Sequence, residues 1–330
     1  MQQLPNVSII IPNYNGSAYI GNCLDFVNNL DYPQDKIETI VVDDASTDNS
    51  LELIKTNFPH VQLIKNSKNL GPAQAKNTGI ESAKSDLLVF LDSDVIIDKN
   101  WLKPLVKAVR ENGKADIACS KVLFSDKKTQ INSAGGAVNM FGDAWGRGIF
   151  EEDKIQYNNK QKVFYACSAS MLVKKDVIKK IGGFDKDYFY LYEDLDFGWR
   201  ANLAGFKTVY IPDSIAYHNF GSVMKRGTFR VRYLTEKNRI LTLLKNYKLN
   251  TLIKISSGFF KNRIIKTAKH TQSKNMTFRC FISFFLAWAW NLLHIYKTLK
   301  KRTKVQLVRK IPDKEIINLM GEFKLQIFTR

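Results

Sequence analysis

Cysteine and histidine are scarce in this 330-residue chain, at four each. Cys23, Cys119, Cys167 and Cys280 lie far apart and form no Cys-x-x-Cys pair. That excludes a zinc ribbon or a disulfide framework and fits reduced, cytosolic thiols. A first strand expected from Val7, directly behind Met1–Pro5, leaves no room for a secretory leader. Long hydrophobic runs are missing too: residues 281–293 (FISFFLAWAWNLL) are apolar except for Ser283 and Asn291, but fall short of the ~20 residues that span a bilayer. No Gly-x-Gly-x-x-Gly follows the first strand, which argues against a dinucleotide-dependent dehydrogenase. Acidic residues are scarce only at one end. Residues 221–330 hold 25 Lys+Arg against 4 Asp+Glu, a net of +21, while residues 1–220 hold 25 against 27. The basic third therefore calls for an anionic partner, whether lipid, nucleic acid or acidic substrate.

What is present is the composition of a globular protein, 45% hydrophobic and 25% charged. Apolar runs at 7–12, 38–42, 61–65 and 87–91 read as buried strands, with helical stretches between them. Asp48 can cap the second helix and Pro72 can open the third. This alternation predicts an α/β fold with a mostly parallel central sheet flanked by helices. A helix over 101–112 and a strand over 117–124 continue it. Residues 131–150, with five glycines, read as a mobile loop or hairpin, and 163–173 as strand. A short helix over 174–181 ends at Gly182-Gly183. An acidic helix start at 193–196 and a strand over 207–211 precede His218.

Ligands of such sheets bind outside the carboxyl ends of the strands, where Asp43, Asp44, Asp92 and Asp94 all fall. In the stretch LLVFLDSD, Asp92 and Asp94 are two residues apart and lie on one side of an extended backbone. Side by side they repel, and burial penalises both charges. A divalent cation, Mn²⁺ or Mg²⁺, removes that conflict. Asp-Ser-Asp is also ordinary turn chemistry, so the weight rests on the surrounding motifs.

In order along residues 7–220 those motifs are SIIIPNYNG, VVDDASTD, NLGPAQAKNTG, VFLDSD, GGFD and YEDLDFGWR. Together they resemble family 2 glycosyltransferases of the GT-A fold, and the resemblance implies inverting sugar transfer from a nucleotide-sugar. It places Pro12 and Tyr14 at the nucleobase, unless they only shape the turn. Asp43 or Asp44 would accept hydrogen bonds from base or ribose while the other braces the loop. Asn69 and Lys76 would lie over the nucleotide, Lys76 facing the diphosphate where many relatives carry arginine; the alternative is a solvated helix lysine. Asp92, Ser93 and Asp94 would hold ribose and metal. His218 is either a third metal ligand or structural. The resemblance makes Asp194 the general base, with Glu193 as its catalytic partner. The adjacent acids, with Asp196 two further on, should raise a pKa toward neutrality. Trp199 and Arg200 would brace their helix, and residues 182–185 would line the acceptor pocket. No Gln-x-x-Arg-Trp follows, unlike processive polysaccharide synthases.

In the basic third, residues 228–247 have helical spacing with Arg230, Arg232, Lys237 and Arg239. The apolar run 281–293 follows, flanked by Lys297, Lys300, Lys301, Arg302 and Lys304. This pattern fits a helix in a membrane interface, or else one packed on the catalytic domain. Aromatics cluster in that run instead of interleaving with basic residues, so no nucleic acid is expected. The expectation is a GT-A catalytic domain (1–222) and a basic, helical, membrane-associating region (223–330). The enzyme would sit on the cytoplasmic face of the cell membrane as a peripheral protein. It would move one sugar from a UDP-, dTDP- or GDP-sugar to a glycan or polyprenyl-linked saccharide in cell-surface glycan assembly; some relatives with this tail type transfer rhamnose. The alternatives are a catalytically inactive scaffold and a nucleic-acid-binding α/β protein.

Overall fold

Five consecutive apolar side chains at 87–91 demand cover on both faces of their strand, and the sheet supplies it. The computed structural model describes residues 3–111, 113–219, 228–270 and 274–321, with side chains throughout except at 263–280. The chain opens as β1 (Val7–Asn13), α1 (Ile20–Asn28), β2 (Ile37–Asp43), α2 (Ser50–Asn57), β3 (Gln62–Lys65), α3 (Pro72–Ser82) and β4 (Leu87–Leu91). Next come β5 (Val95–Ile97), α4 (Leu102–Arg110), β6 (Ile117–Phe124), β7 (Ile131–Ser133), β8 (Gly136–Val138), β9 (Ala144–Gly146) and β10 (Gln161–Lys162). β11 (Ser170–Lys174), α5 (Lys175–Ile181), α6 (Glu193–Leu203) and β12 (Thr208–His218) complete the sheet region.

The strands order as β10-β12-β6-β11-β4-β1-β2-β3, with β5 on β12 and β7 on β6. β1, β2, β3 and β4 pair in parallel, as helical crossovers require. β11 enters from the excursion 125–169, which contains no α-helical crossover, and so is free to run antiparallel between β4 and β6. The sheet is therefore mixed. Side chains of α1, α2 and α4 fill one face, and those of α3, α5 and α6 the other. α3 lies unusually close to the sheet: a Cβ on Gly79 would fall 2.3 Å from Ile10 Cγ2. That closeness seats Lys76 against the strand ends.

Three stretches differ from their simplest reading. Residues 131–150 are paired structure, with β7 on β6 and β8–β9 forming a hairpin. Of 163–173 only the end joins the sheet, and 163–169 runs irregularly beneath the site. β12 does not stop at 211; it continues through a bulge between Ile211 and Ile215 to His218.

The basic third forms α7 (Phe229–Asn246), α8 (Leu249–His270), α9 (Lys274–Leu293), α10 (Ile295–Val308) and α11 (Asp313–Asn318). The expected boundary at 222/223 lies outside the described residues. Beyond it, Ile240, Leu243 and Tyr247 share one core with Val138, Phe164 and Trp199. Among the described residues, no helix is long and apolar enough to cross a membrane.

Much of the positive charge in this third is turned inward. Lys245, buried, lies 2.8 Å from Asp185 and 2.7 Å from Asp196. Arg239, also buried, pairs with Asp143 at 3.2 Å and with Glu236. Lys297 and Lys301 reach Asp187 at 2.7 and 2.6 Å, and Lys301 also meets Asp185. Burial alone would raise the pKa of Asp185, but Lys245 and Lys301 hold it far below the usual carboxylate range. A buried charge left unpaired costs far more than the pair contributes, so these contacts tie the helices to the sheet region. Lys245→Ala should lower unfolding free energy by about 3–5 kcal/mol near neutral pH, read by urea denaturation. Because the folded-state pKa of Asp185 is depressed, its contribution is present above the ordinary carboxylate pKa and fades as pH falls below it. The gap between variant and parent should therefore narrow in acid.

Candidate active site

The carboxyl ends of β1, β2, β4 and β12 open on one cavity of about 560 Å³. Pro12, Tyr14, Asp44, Asn69, Lys76, Asp92, Ser93, Asp94, Glu193 and His218 all line it. Two of the expected residues do not. Asp43 is fully buried, its carboxylate accepting from Asn13 Nδ2 (3.1 Å) and the Ser46 amide (3.0 Å). It braces the β1–β2 loops. Asp44 reaches the cavity but is itself a brace, accepting from the amides of Leu70 (3.0 Å) and Gly71 (2.7 Å) and from Asn66 Nδ2 (2.8 Å). Asp194 is the second residue outside the lining; it sits half-buried on α6, next to Glu193.

Lys76 is 1% exposed, so it is no solvated helix lysine. Its Nζ donates to Ser168 Oγ at 2.6 Å and lies 3.5 Å from Asp92 Oδ1 and 3.6 Å from Glu193 Oε1. Burial disfavours its charge, but Asp92, Glu193 and Asp194 outweigh burial and raise its pKa. The floor of the cavity thus carries a permanent cation between two acids.

Glu193 and Asp194 open α6, where the helix dipole favours carboxylates. Glu193 turns to Lys76; burial raises its pKa against the pull of that ammonium. Asp194 accepts from the Leu195 amide at 2.7 Å. Burial, then the charge of Glu193, push its pKa up to about 7, with Lys76 opposing. Asp196 plays no part in this. It is fully buried on the other side of the helix, held by Arg200 (2.8 Å) and Lys245 (2.7 Å). Helical geometry separates residues 194 and 196 by about 200°, so adjacency in sequence does not put them together.

Arg200 also donates to the carbonyls of Ile181 (2.6 Å) and Gly183 (2.8 Å), and Trp199 packs edge-on against Phe164 and Tyr247. Residues 182–185, expected at an acceptor pocket, are occupied by Arg200 and by the lysines on Asp185. The cavity gains residues that sequence reading missed: Asn13, Pro72, Ala75, Phe189, Tyr190 and Arg230. Arg230 comes from the basic third, its guanidinium 5.5 Å from the Phe189 ring centre. Nothing local in the sequence separates it from the other basic residues of α7.

A family model for glycosyl transferase family 2 matches residues 8–182. The chain is 30% identical over 236 residues to the glycosyltransferase AglE of Haloferax volcanii, covering 69% of this chain and 72% of AglE. It is 34% identical over 216 residues to the poly(ribitol-phosphate) beta-N-acetylglucosaminyltransferase TarS of Staphylococcus aureus. That match covers 64% of this chain but 35% of TarS, so the chain spans about a third of the staphylococcal enzyme. Among solved structures, GalNAc-T7 with UDP, GalNAc and Mn²⁺ superposes with a TM-score of 0.63 over 90% of this chain and 58% of that one. At 15% identity that likeness speaks for the fold alone.

Asp92, Asp94 and His218 offer ligand atoms that all lie within 4.8 Å of one another. Two carboxylates and an imidazole suit Mn²⁺ or Mg²⁺, the nitrogen favouring Mn²⁺. His218 Nε2 lies 3.4 Å from Asp94 Oδ1, and its Nδ1 lies 3.4 Å from Asn132 Oδ1. A proton on Nδ1, facing Asn132, leaves Nε2 for a cation. The residues present therefore fit a divalent ion. His218→Ala should weaken Mn²⁺ binding by about tenfold or more, measured by the electron-spin resonance of free Mn²⁺. Unchanged affinity would return His218 to a structural role.

Proposed function

The chain belongs to glycosyl transferase family 2 and has the GT-A fold, and on that premise we propose an inverting, metal-dependent transfer of a single sugar from a UDP-, dTDP- or GDP-sugar to a hydroxyl of a glycan or polyprenyl-linked saccharide. The observation that carries this reading is Asp194. It is a half-buried carboxylate with a pKa of about 7, beside a cavity of about 560 Å³ whose floor is Lys76, Asp92 and Glu193. A volume in that range suits a ligand the size of a nucleotide-sugar.

In this reading Tyr14, 39% exposed at the mouth, lies against the base. A divalent cation held by Asp92, Asp94 and His218 would offset charge on the departing diphosphate. Lys76, within 3.6 Å of both Asp92 and Glu193, offsets the repulsion between the two acids and holds them in place. Asp194 takes the proton of the acceptor hydroxyl. The hydroxyl oxygen bonds to the anomeric carbon from the face opposite the diphosphate, whose bond to that carbon breaks with its electron pair. A base with a pKa near 7 is half ionised at neutral pH and still a strong proton acceptor.

The reading extends to an anionic membrane surface at the cytoplasmic face, where a lipid-linked acceptor would lie. α9 supports it: Ser283, Ala287 and Asn291 are buried, while Phe281, Phe285, Leu292 and Leu293 stay 63–84% exposed. Exposed lysines at 300 and 304 flank that apolar stripe. One face of the helix thus packs on the protein and the other is left for lipid, so the two readings of this segment are compatible. The name of TarS, an enzyme acting on poly(ribitol-phosphate), is consistent with a cell-surface glycan as acceptor.

Asp194→Asn should abolish transfer while leaving thermal stabilisation by UDP, dTDP or GDP with Mn²⁺ intact; retained turnover removes Asp194 as base. In the parent enzyme the rate should fall as pH drops through about 7 and level off above it, because only the ionised carboxylate accepts a proton. Phe285→Glu with Leu293→Glu should reduce co-flotation with phosphatidylglycerol vesicles without lowering the melting temperature. Undiminished flotation would place the membrane contact elsewhere.

A further inference from the structure

We infer that Asn238, on α7, is a positioning residue for the catalytic pair: its side-chain amide holds the strained loop 188–192 that delivers Glu193 and Asp194 to the site. The inference rests on the reading of Asp194 as the base.

The loop needs holding. Phe189, Leu191 and Tyr192 all have positive φ, at 62°, 68° and 71°. Side chains of that size are rarely found there, and such conformations persist only where surrounding structure over-determines them. Tyr192 is the residue from which α6 starts, so any relaxation of the loop rotates Glu193 and Asp194 directly.

Asn238 supplies the restraint. It is fully buried, and its Nδ2 lies 3.1, 2.9 and 2.7 Å from the carbonyl oxygens of Tyr188, Tyr190 and Leu191. Three carbonyls converging on one point repel unless a donor stands there. The opposite amide orientation would aim Oδ1 at all three, so the carbonyls themselves dictate the assignment. Oδ1 meanwhile is buried with no hydrogen-bond partner among the described residues. The fold tolerates that orphan to keep the donor in place.

The rest of the same helix face supports this grip. Lys237 donates to the Asp187 carbonyl at 2.7 Å, and Thr242 meets the Tyr188 hydroxyl at 2.8 Å. On the opposite side the loop presses on the start of α3: a Cβ on Gly71 would fall 2.5 Å from the Phe189 carbonyl oxygen. Phe189 and Tyr190 line the cavity between these two anchors. α7 is thereby part of the active-site scaffold.

Three variants test this: Asn238→Ala, Asn238→Ser, which keeps a short donor, and Asn238→Asp, which sets an anion against the carbonyls. The assay is Mn²⁺-dependent release of nucleoside diphosphate from UDP-N-acetylglucosamine, UDP-glucose, GDP-mannose or dTDP-rhamnose, using whichever the parent hydrolyses. Rates are normalised to the folded fraction. Asn238→Ala and Asn238→Asp should lose about tenfold to a hundredfold in kcat, the scale of a displaced catalytic group, with partial recovery in Asn238→Ser. In Asn238→Ala, which adds no charge, the acid-limb midpoint should also move down from about 7 toward the ordinary carboxylate value, because a loosened loop admits water to Asp194. Of the other groups that act on Asp194 or feel its charge, Lys76, Cys167 and Tyr165 lie outside the loop, while Glu193 moves with it.

A rate loss with an unmoved midpoint in Asn238→Ala, or no loss in folded variants, overturns the inference. Asp194→Asn runs alongside. If it still turns over, the base reading fails; if it is dead while the Asn238 variants behave like the parent, only the positioning role fails. Should none of the variants fold, hydrogen exchange of the parent decides. Amides 189–195 should then exchange only with global opening, and rapid exchange there beside a protected α7 overturns the inference.

Discussion

One buried ammonium group makes the rest of this site possible. Without Lys76, the carboxylates of Asp92 and Glu193 would converge on the cavity floor with no counter-charge between them. The Lys76 Nζ lies 3.5 and 3.6 Å from them and is anchored on Ser168, so it stands between the two acids as their shared counter-charge. The requirement propagates outward. α3 must approach the sheet closely enough to seat the lysine, which is why Gly79 lies on Ile10. β11 and the irregular stretch before it must pass beneath, bringing Ser168 to the ammonium. The Gly71 turn, stitched by Asp44, fixes where α3 starts.

The same logic of paired burial accounts for the basic third of the chain. Among the described residues, much of its charge goes to one of two places. Lys245, Arg239, Lys297 and Lys301 meet Asp143, Asp185, Asp187 and Asp196 and bind α7 and α10 to the sheet region. Other lysines, at 300 and 304, remain exposed on α10, which follows the apolar stripe of α9 in the chain. A net charge read as a single electrostatic statement thus divides into an internal clamp and an outward surface. The clamp is what lets α7 reach the loop in front of Glu193.

Much of the fold was legible because it is local. Apolar runs of five or so residues alternating with amphipathic stretches are enough to imply crossovers, and crossovers are enough to imply parallel strands with a ligand at their carboxyl ends. Motif order was enough for the family and for GT-A. β11 was not legible as antiparallel, since strand direction depends on how the chain returns and not on what the strand contains. The length of β12 was not legible either, because the strand continues past 211 only through the bulge that holds Pro212 and Asp213.

At the site, spacing alone determined that Asp92 and Asp94 share a side of the chain and that Glu193 and Asp194 open a helix. Which of Asp43 and Asp44 faces the cavity was decided by the loops each one braces. Whether Lys76 meets solvent or carboxylates was decided by a serine 92 residues away. That Asp194 has a pKa near neutrality, and that Asp196 does not contribute to it, depends on burial and on the facing direction of a helix start. Periodicity records which side of an element a residue takes. Desolvation, counter-charges and the carbonyls gathered on Asn238 belong to neighbours distant in the chain, and only the tertiary structure brings them together.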